Sequence, residues 1–331
     1  SGEDAISEYF KSDLASKFLI NLNEYQLSDL QNFEGNAAGF RILVNTPEAQ
    51  SKYKGGLGLT YATLSAFVKY PKLSFPNLRH KKIASLKKYS FFYSEKDVFY
   101  RIAEELEFEQ REIDGELYYS RFPLAYLVEA ADDICYTIID YEDGFQEGLV
   151  SFHEVEEVFI DVLGVEWQES YGKYKQILNR DSKLHFLRSK VINTLINQVS
   201  KAFEDNEELL LKGEYDKSLL DEIPAAAKID SIKKDSFERI YSSTPVLKIE
   251  AAGYRVLPEL LDIFINAIFN PGKEQNRRLI KLIPDIYLDN QRKMFEDDYQ
   301  KLLNITMFIS GMTDKAAVEL YRQLTGISIG N

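Results

Sequence analysis

The chain has 331 residues, 45% hydrophobic and 28% charged, with a formal net charge of −13. That is ordinary globular composition, long enough for one large domain or two and for a sizeable core. It excludes a membrane-spanning helix, because no apolar run approaches about 18 residues, and it disfavours non-specific nucleic-acid binding through bulk charge.

The chain opens on Ser1-Gly2-Glu3 without a starting Met, and reads as the remainder of a longer one. The first ten residues, SGEDAISEYF, lack a basic region followed by an apolar stretch, so they are no secretory signal. Residues 4–18 are amphipathic. Glu3 by itself reads as a helix N-terminal acid favoured by the dipole. Leu27 to Asn45 reads as one helix with Ser28 as N-cap and Leu30, Phe33, Ala37, Phe40 and Leu43 or Val44 as its apolar face. Gly35 and Gly39, four apart, suggest close approach of another backbone. Asn36 and Arg41 are its notable polar residues, on a face that is either functional or merely solvated.

Leu59 to Tyr70 reads as a second helix, ended by Pro71, with Lys69 near its C-terminus where a cation complements the dipole. Residues 71–92 hold the most basic stretch: Arg79, His80, Lys81, Lys82, Lys87 and Lys88. Such a loop steers an anionic substrate or is simply solvated. A helix is expected from Ser94 to Leu106, with Ser94 and Asp97 as a capping pair. Residues 109–120, with the turn signal Asp114-Gly115, suggest a small hairpin.

Arg121 to Gly144, RFPLAYLVEAADDICYTIIDYEDG, is the stretch around which the rest is organised. At 100° per residue Asp132, Tyr136 and Asp140 fall at i, i+4 and i+8 on one face, with Glu129 and Asp143 beside them. The remainder is apolar: Leu124, Leu127, Val128, Ala130, Ala131, Ile134, Cys135, Ile138 and Ile139. A helix apolar nearly all round is expected to be buried. Buried carboxylates need something positive, either a metal ion or basic side chains of neighbouring helices. Cys135, the one cysteine, excludes an internal disulfide, fits a reducing compartment such as the cytoplasm, and reads as a small core residue. Asp133 points about 100° away and is expected to pair with a neighbouring helix.

Helices are further expected over Phe152 to Leu163, Lys183 to Phe203 and Ala226 to Ser242. Val256 to Asn270 follows, with Pro258 in its first turn, then Asn290 to Ile309 and Thr313 to Leu324, capped by Thr313. His80, His153 and His185 read as surface or packing residues. Alternating strand patterns are scarce, so the fold class is all-α.

Six stretches in order resemble one family. They are GEDAI (Gly2 to Ile6), FEGNAAGFRIL (Phe33 to Leu43), LTYATLSAFVKYP (Leu59 to Pro71), KKYSFFYSEKD (Lys87 to Asp97), the central helix, and SGMTDKAAVELY (Ser310 to Tyr321). Together they resemble the deoxyguanosine triphosphate triphosphohydrolases of the His-Asp (HD) phosphohydrolase superfamily, over almost the whole chain. The resemblance implies an HD-domain-like helical bundle in residues 1–200 and a helical C-terminal domain in 201–331. It implies metal-dependent hydrolysis of a deoxynucleoside triphosphate, dGTP first, to the deoxynucleoside and inorganic triphosphate. It makes Asp132 a ligand of a divalent ion, Mn²⁺ or Mg²⁺, and Glu3 an acid that assists proton transfer or orients a histidine. Asn36, Arg41, Lys69, Lys88, Tyr136 and Asp140 become substrate contacts. It implies a closed homo-oligomer, hexamers included.

The family's histidine and His-Asp ligands match none of the three histidines present, so these 331 residues alone are expected to be inactive. Phe122, Ala38 and Lys315-Ala316 depart from the family's usual histidine, glutamine and Arg-Tyr, which leaves base preference open. Two other readings stand beside this one: another HD-superfamily nucleotidase or phosphodiesterase, and a non-catalytic nucleotide-binding regulatory protein.

Overall fold

A computed structural model describes residues 2–45, 56–76, 83–113, 116–288, 293 and 295–327. It is an all-α assembly with one two-stranded hairpin, as the sequence implies. Arg79, His80, Lys81 and Lys82 of the basic stretch lie outside the described residues, as does the Asp114-Gly115 turn.

The chain begins with α1 (Gly2–Lys11), a short α2 (Asp13–Ser16) and α3 (Glu24–Gln31). The single helix expected over Leu27 to Asn45 is in fact two. Asn23, not Ser28, caps α3 in a reciprocal box with Gln26. Asn32 then leaves helical geometry, and Glu34 caps a new helix, α4 (Gly35–Val44). Ser28 is buried inside α3, donating to the Ser74 carbonyl. Side chains, not a backbone, approach the two glycines. A Cβ at Gly35 would stand 2.7 Å from Glu3 Oε1, and one at Gly39 2.6 Å from the Phe67 ring.

Helix α5 (Tyr61–Phe67), capped by Thr60, stops earlier than Pro71 requires, because Val68 leaves helical geometry and Ser90 Oγ accepts from the Tyr70 amide. Lys69 therefore sits beyond the helix. The next helix starts through a 3₁₀ turn, Tyr93–Glu95, into α6 (Lys96–Glu105), and Ser94 caps nothing. Strands β1 (Gln110–Ile113) and β2 (Glu116–Tyr119) pair antiparallel, with Gln110 opposite Tyr119.

Helix α7 (Pro123–Gln146) is the central helix, with Pro123 in its first turn. It is not buried all round. Leu124, Val128, Tyr136 and Ile139 are exposed, and so is Cys135, which is no core residue. After it come α8 (Phe152–Leu163), with a Ser151/Glu154 capping box, α9 (Trp167–Tyr174), α10 (Arg180–Asp205) and α11 (Glu207–Leu211). The helix expected over Ala226 to Ser242 is α12 (Ala226–Asp235) followed by a π turn, Ser236–Tyr241.

Helix α13 (Thr244–Phe269) begins well before Val256, with Pro245 in its first turn and Pro258 in its interior. Its N-terminal half shows no apolar stripe because most of it is exposed. The chain ends through α14 (Glu274–Ile280), α15 (Asp298–Ser310, capped by Asp297) and α16 (Asp314–Leu324, capped by Thr313).

Two large cores result. One joins α1, α3 and α4 to the C-terminal half of α13 and α15, through Phe10, Leu30, Leu261, Phe264 and Leu302. The other joins α7, α8, α10 and α12, through Ile138, Phe159, Leu187, Val191 and Ile229. Residue 200 falls inside α10, and each core draws on both sides of it.

Asp29 pins the first core. Its carboxylate is fully buried and accepts from Ser74 Oγ at 2.6 Å, the Tyr93 amide at 2.7 Å and Tyr299 Oη at 2.5 Å. Burial pushes its pKa up to about 7, outweighing those hydrogen bonds. An acid whose folded pKa is raised gives stability that is full below its unfolded pKa and is lost as pH climbs through the folded value. The unfolding free energy read from urea titrations should therefore fall between about pH 4 and pH 7 by up to about 1.4 kcal/mol per pH unit. Asp29→Asn should flatten that slope, and an unchanged slope would remove Asp29 as its source.

Candidate active site

The exposed face of α7 carries the row that the wheel places together. Asp132 has a side chain 67% exposed, and Lys69 Nζ lies 2.6 Å from its Oδ2. The early end of α5 makes this contact, since Lys69 lies on the bend that follows the helix. One turn on, Tyr136 is exposed, its ring 5.8 Å from that of Tyr241. Another turn on, Asp140 accepts from Tyr241 Oη at 2.7 Å. Burial, with hydrogen bonds to Tyr136 and Asp140, holds the Tyr241 phenol far above its ordinary pKa. Tyr241 ends the π turn, a distortion that often marks functional positions.

Of the acids around this row, Glu129 leaves its face, while Asp133, about 100° away, makes the pairing with a neighbouring helix that the wheel implies. Glu129 is buried against Arg121, at 2.5 and 3.2 Å, and Asp133 pairs with Lys233 of α12 at 3.2 Å.

A second group gathers at the start of α4. Glu3 Oε1 accepts from the Gly35 amide at 2.8 Å, so its charge faces a helix N-terminus. Lys88 Nζ lies 2.9 Å from Glu34 and 3.4 Å from Glu3, and Asn36 Nδ2 donates to Glu34 at 2.8 Å. Desolvation lowers the Lys88 pKa, but Glu34 and Glu3 more than offset it, so the ammonium is held above an ordinary lysine. Tyr70, next to Lys69 in the chain, faces both the second group and the Arg121–Glu129 pair. The Arg121 guanidinium lies 5.2 Å from its ring centroid, and the charges of Glu129, Arg121, Lys88 and Glu34 all reach its phenol. Burial is the main reason its pKa is pushed up to about 12.

Arg41 joins neither group. Five residues after Asn36, it lies about 140° round the helix. It is buried in a network with Glu95, Ser94 (3.1 Å), Gln300 (3.1 Å) and Asn304 (2.9 Å). The sequence reading missed Glu34, Tyr70, Arg121 and Tyr241. Glu34 lay within the FEGN run and Tyr70 beside Lys69, but nothing local marked Tyr241.

The comparisons give this geometry a context. The "Deoxyguanosinetriphosphate triphosphohydrolase-like protein" of Synechocystis sp. is 36% identical to this chain over 335 residues, covering 99% of the chain and 73% of the relative. The chain belongs to the deoxyguanosinetriphosphate triphosphohydrolase-like family. Relatives of the same name from Pseudomonas aeruginosa (strain LESB58) and Listeria monocytogenes are 34% and 33% identical, each over 99% of the chain and 73% and 74% of their own length. The "Phosphohydrolase-associated domain" matches residues 220–323, which include Tyr241 and α13.

For this triphosphohydrolase-like chain the metal question is answered by the donor set. Among the described residues no three His, Cys, Asp or Glu side chains converge to hold an ion. Asp132 offers one carboxylate, already paired with Lys69, so these residues do not by themselves fit a divalent ion. His153 lies 4.0 Å from Glu157, and His185 3.6 Å from Glu142, both away from Asp132 in their pairing. No helix among the described residues is long and apolar enough to cross a membrane.

Proposed function

We propose that this protein hydrolyses deoxynucleoside triphosphates, dGTP foremost, to the deoxynucleoside and inorganic triphosphate. Water attacks the α-phosphorus, the bond from phosphorus to the 5′ oxygen breaks, and that oxygen leaves with a proton. One observation carries this reading: Asp132, Tyr136 and Asp140 form an open row with Lys69 at one end and Tyr241 at the other. Lys69 and Lys88 supply cations for the phosphates. Tyr136 offers a hydroxyl to a phosphate or to the sugar. Asp140, held by Tyr241, accepts from the sugar 3′-hydroxyl. Asn36 and Glu3 act from the start of α4, where Glu3 orients Lys88.

A divalent ion, Mn²⁺ or Mg²⁺, belongs to this reading through the family. Asp132 is the carboxylate this chain supplies toward it, and the ion would polarise the phosphoryl oxygen there. The reading also includes a cytoplasmic homo-oligomer, with a hexamer among its closed forms. Leu247, Ile249 and Tyr254, all exposed on α13, support an apolar contact between copies.

Product analysis tests the proposal. The natural full-length protein, given dGTP and Mn²⁺ and followed by ³¹P NMR, is expected to release tripolyphosphate and deoxyguanosine in equal amounts. Pyrophosphate or orthophosphate as the first product would overturn it.

A further inference from the structure

Glu34 is an acid to which the proposed reaction gives no part. Its side chain is 7% exposed, while that of Lys88 beside it is 42% exposed. One atom, Oε1, takes two donors: Lys88 Nζ at 2.9 Å and Asn36 Nδ2 at 2.8 Å. The Asn36 amide, in the first turn of α4, lies further from it, at 3.5 Å. A capping side chain ordinarily serves backbone amides. Here the nearer partners are side chains, one of them 54 residues away. Gly35 brings a second acid to the same turn. Its amide donates to Glu3 Oε1 at 2.8 Å, and a Cβ there would stand 2.7 Å from that oxygen. Lys88 bridges the two acids.

We infer that Glu34 is a positioning residue: from one buried oxygen it fixes Lys88 and Asn36 so that the remaining donor of each meets the triphosphate. The inference rests on the triphosphate reading above, which puts Lys88 on the phosphates. An ammonium has three donors and a side-chain amide two. Glu34 takes one from each, and Glu3 takes a second from Lys88 at 3.4 Å. One donor is left on each group, and its direction is set by the bonds already made. A lysine held on two sides gives up its rotamer freedom on folding, so less is lost when the anion arrives. The charge of Glu34 does not help by itself, because a carboxylate repels a polyanion. Glu34 acts only through what it holds.

Two variants at this position separate positioning from helix capping. Glu34→Ser keeps a good N-cap but is too short to reach Lys88. Glu34→Gln keeps the reach and an acceptor oxygen while losing the charge. The probe is inorganic tripolyphosphate, titrated calorimetrically into the natural full-length protein, which reads binding without catalysis. Glu34→Ser should weaken it roughly tenfold, with the melting temperature within about 2 °C of the parent. Glu34→Gln should stay within about threefold. Lys88→Met should itself cost roughly tenfold or more, and in that background Glu34→Ser should add no more than about threefold, through Asn36. A Ser variant that binds like the parent, one that costs the same tenfold with or without Lys88, or a Gln variant as weak as Ser would overturn the inference and leave the phosphate assignment standing. If the parent does not bind the probe, or Lys88→Met changes nothing, that assignment falls and the inference falls with it.

Discussion

Asp132→Ala is expected to lower triphosphate release about a thousandfold or more while moving the melting temperature by no more than about 2 °C. The two halves of this expectation have separate causes. The side chain is 67% exposed and its partner is a single lysine, and such surface pairs contribute about 0–1 kcal/mol. Stability should hardly notice the loss. Activity should under the proposed function, where Asp132 is the carboxylate offered toward the ion, because charge stabilisation at a phosphoryl centre amounts to several kcal/mol, about tenfold in rate for each 1.4 kcal/mol. Asp132→Asn keeps the shape and removes the charge, so it should fail as badly. Steady-state rates within tenfold of the parent for both variants would show that Asp132 has no part in the reaction.

Glu129→Ala, three residues earlier, should behave in the opposite way. It is expected to cost about 3–5 kcal/mol of folding free energy, read as a lower urea midpoint at unchanged slope. The Arg121 side chain is wholly buried and Glu129 is 11% exposed, joined by two contacts at 2.5 and 3.2 Å. The guanidinium also donates to the Ala84 carbonyl at 3.0 Å and lies 5.2 Å from the rings of Tyr70 and Tyr126. Removing the carboxylate strands a cation in a place without water, and the rings return only part of what is lost. The double variant Arg121→Met, Glu129→Leu removes both charges and should recover most of the stability. A single-variant cost under about 1 kcal/mol would mean that water reaches Arg121.

Much of the fold is written in local signals. Ser151 with Glu154, Thr313, and Pro123 at the start of α7 each place a helix end by chemistry acting within a few residues. The failures share a cause as well. The break between α3 and α4 is hidden because Leu30, Phe33 and Ala37 keep a helical spacing across it, all facing one core. The true start of α13 is hidden because its first half is exposed and so has no stripe to detect. Cys135 and the outer face of α7 show the limit most sharply. Apolar residues look alike in sequence whether they fill a core or border an opening.

The site shows the same division. Spacing alone places Asp132, Tyr136 and Asp140 together, because the helix fixes their relation. Lys69 and Tyr241 reach that row from 63 and 101 residues away, a separation that no periodicity spans. Arg41 looked equal to Asn36 in the same motif, and only the packing of Glu95 and Asn304 against α4 draws it inside.

The ammonium of Lys69 already sits on the Asp132 carboxylate, so the two charges quench each other at rest. Whatever binds to either one has to displace the other, and its net attraction is smaller by what the pair is worth, about 1 kcal/mol or less at so exposed a carboxylate.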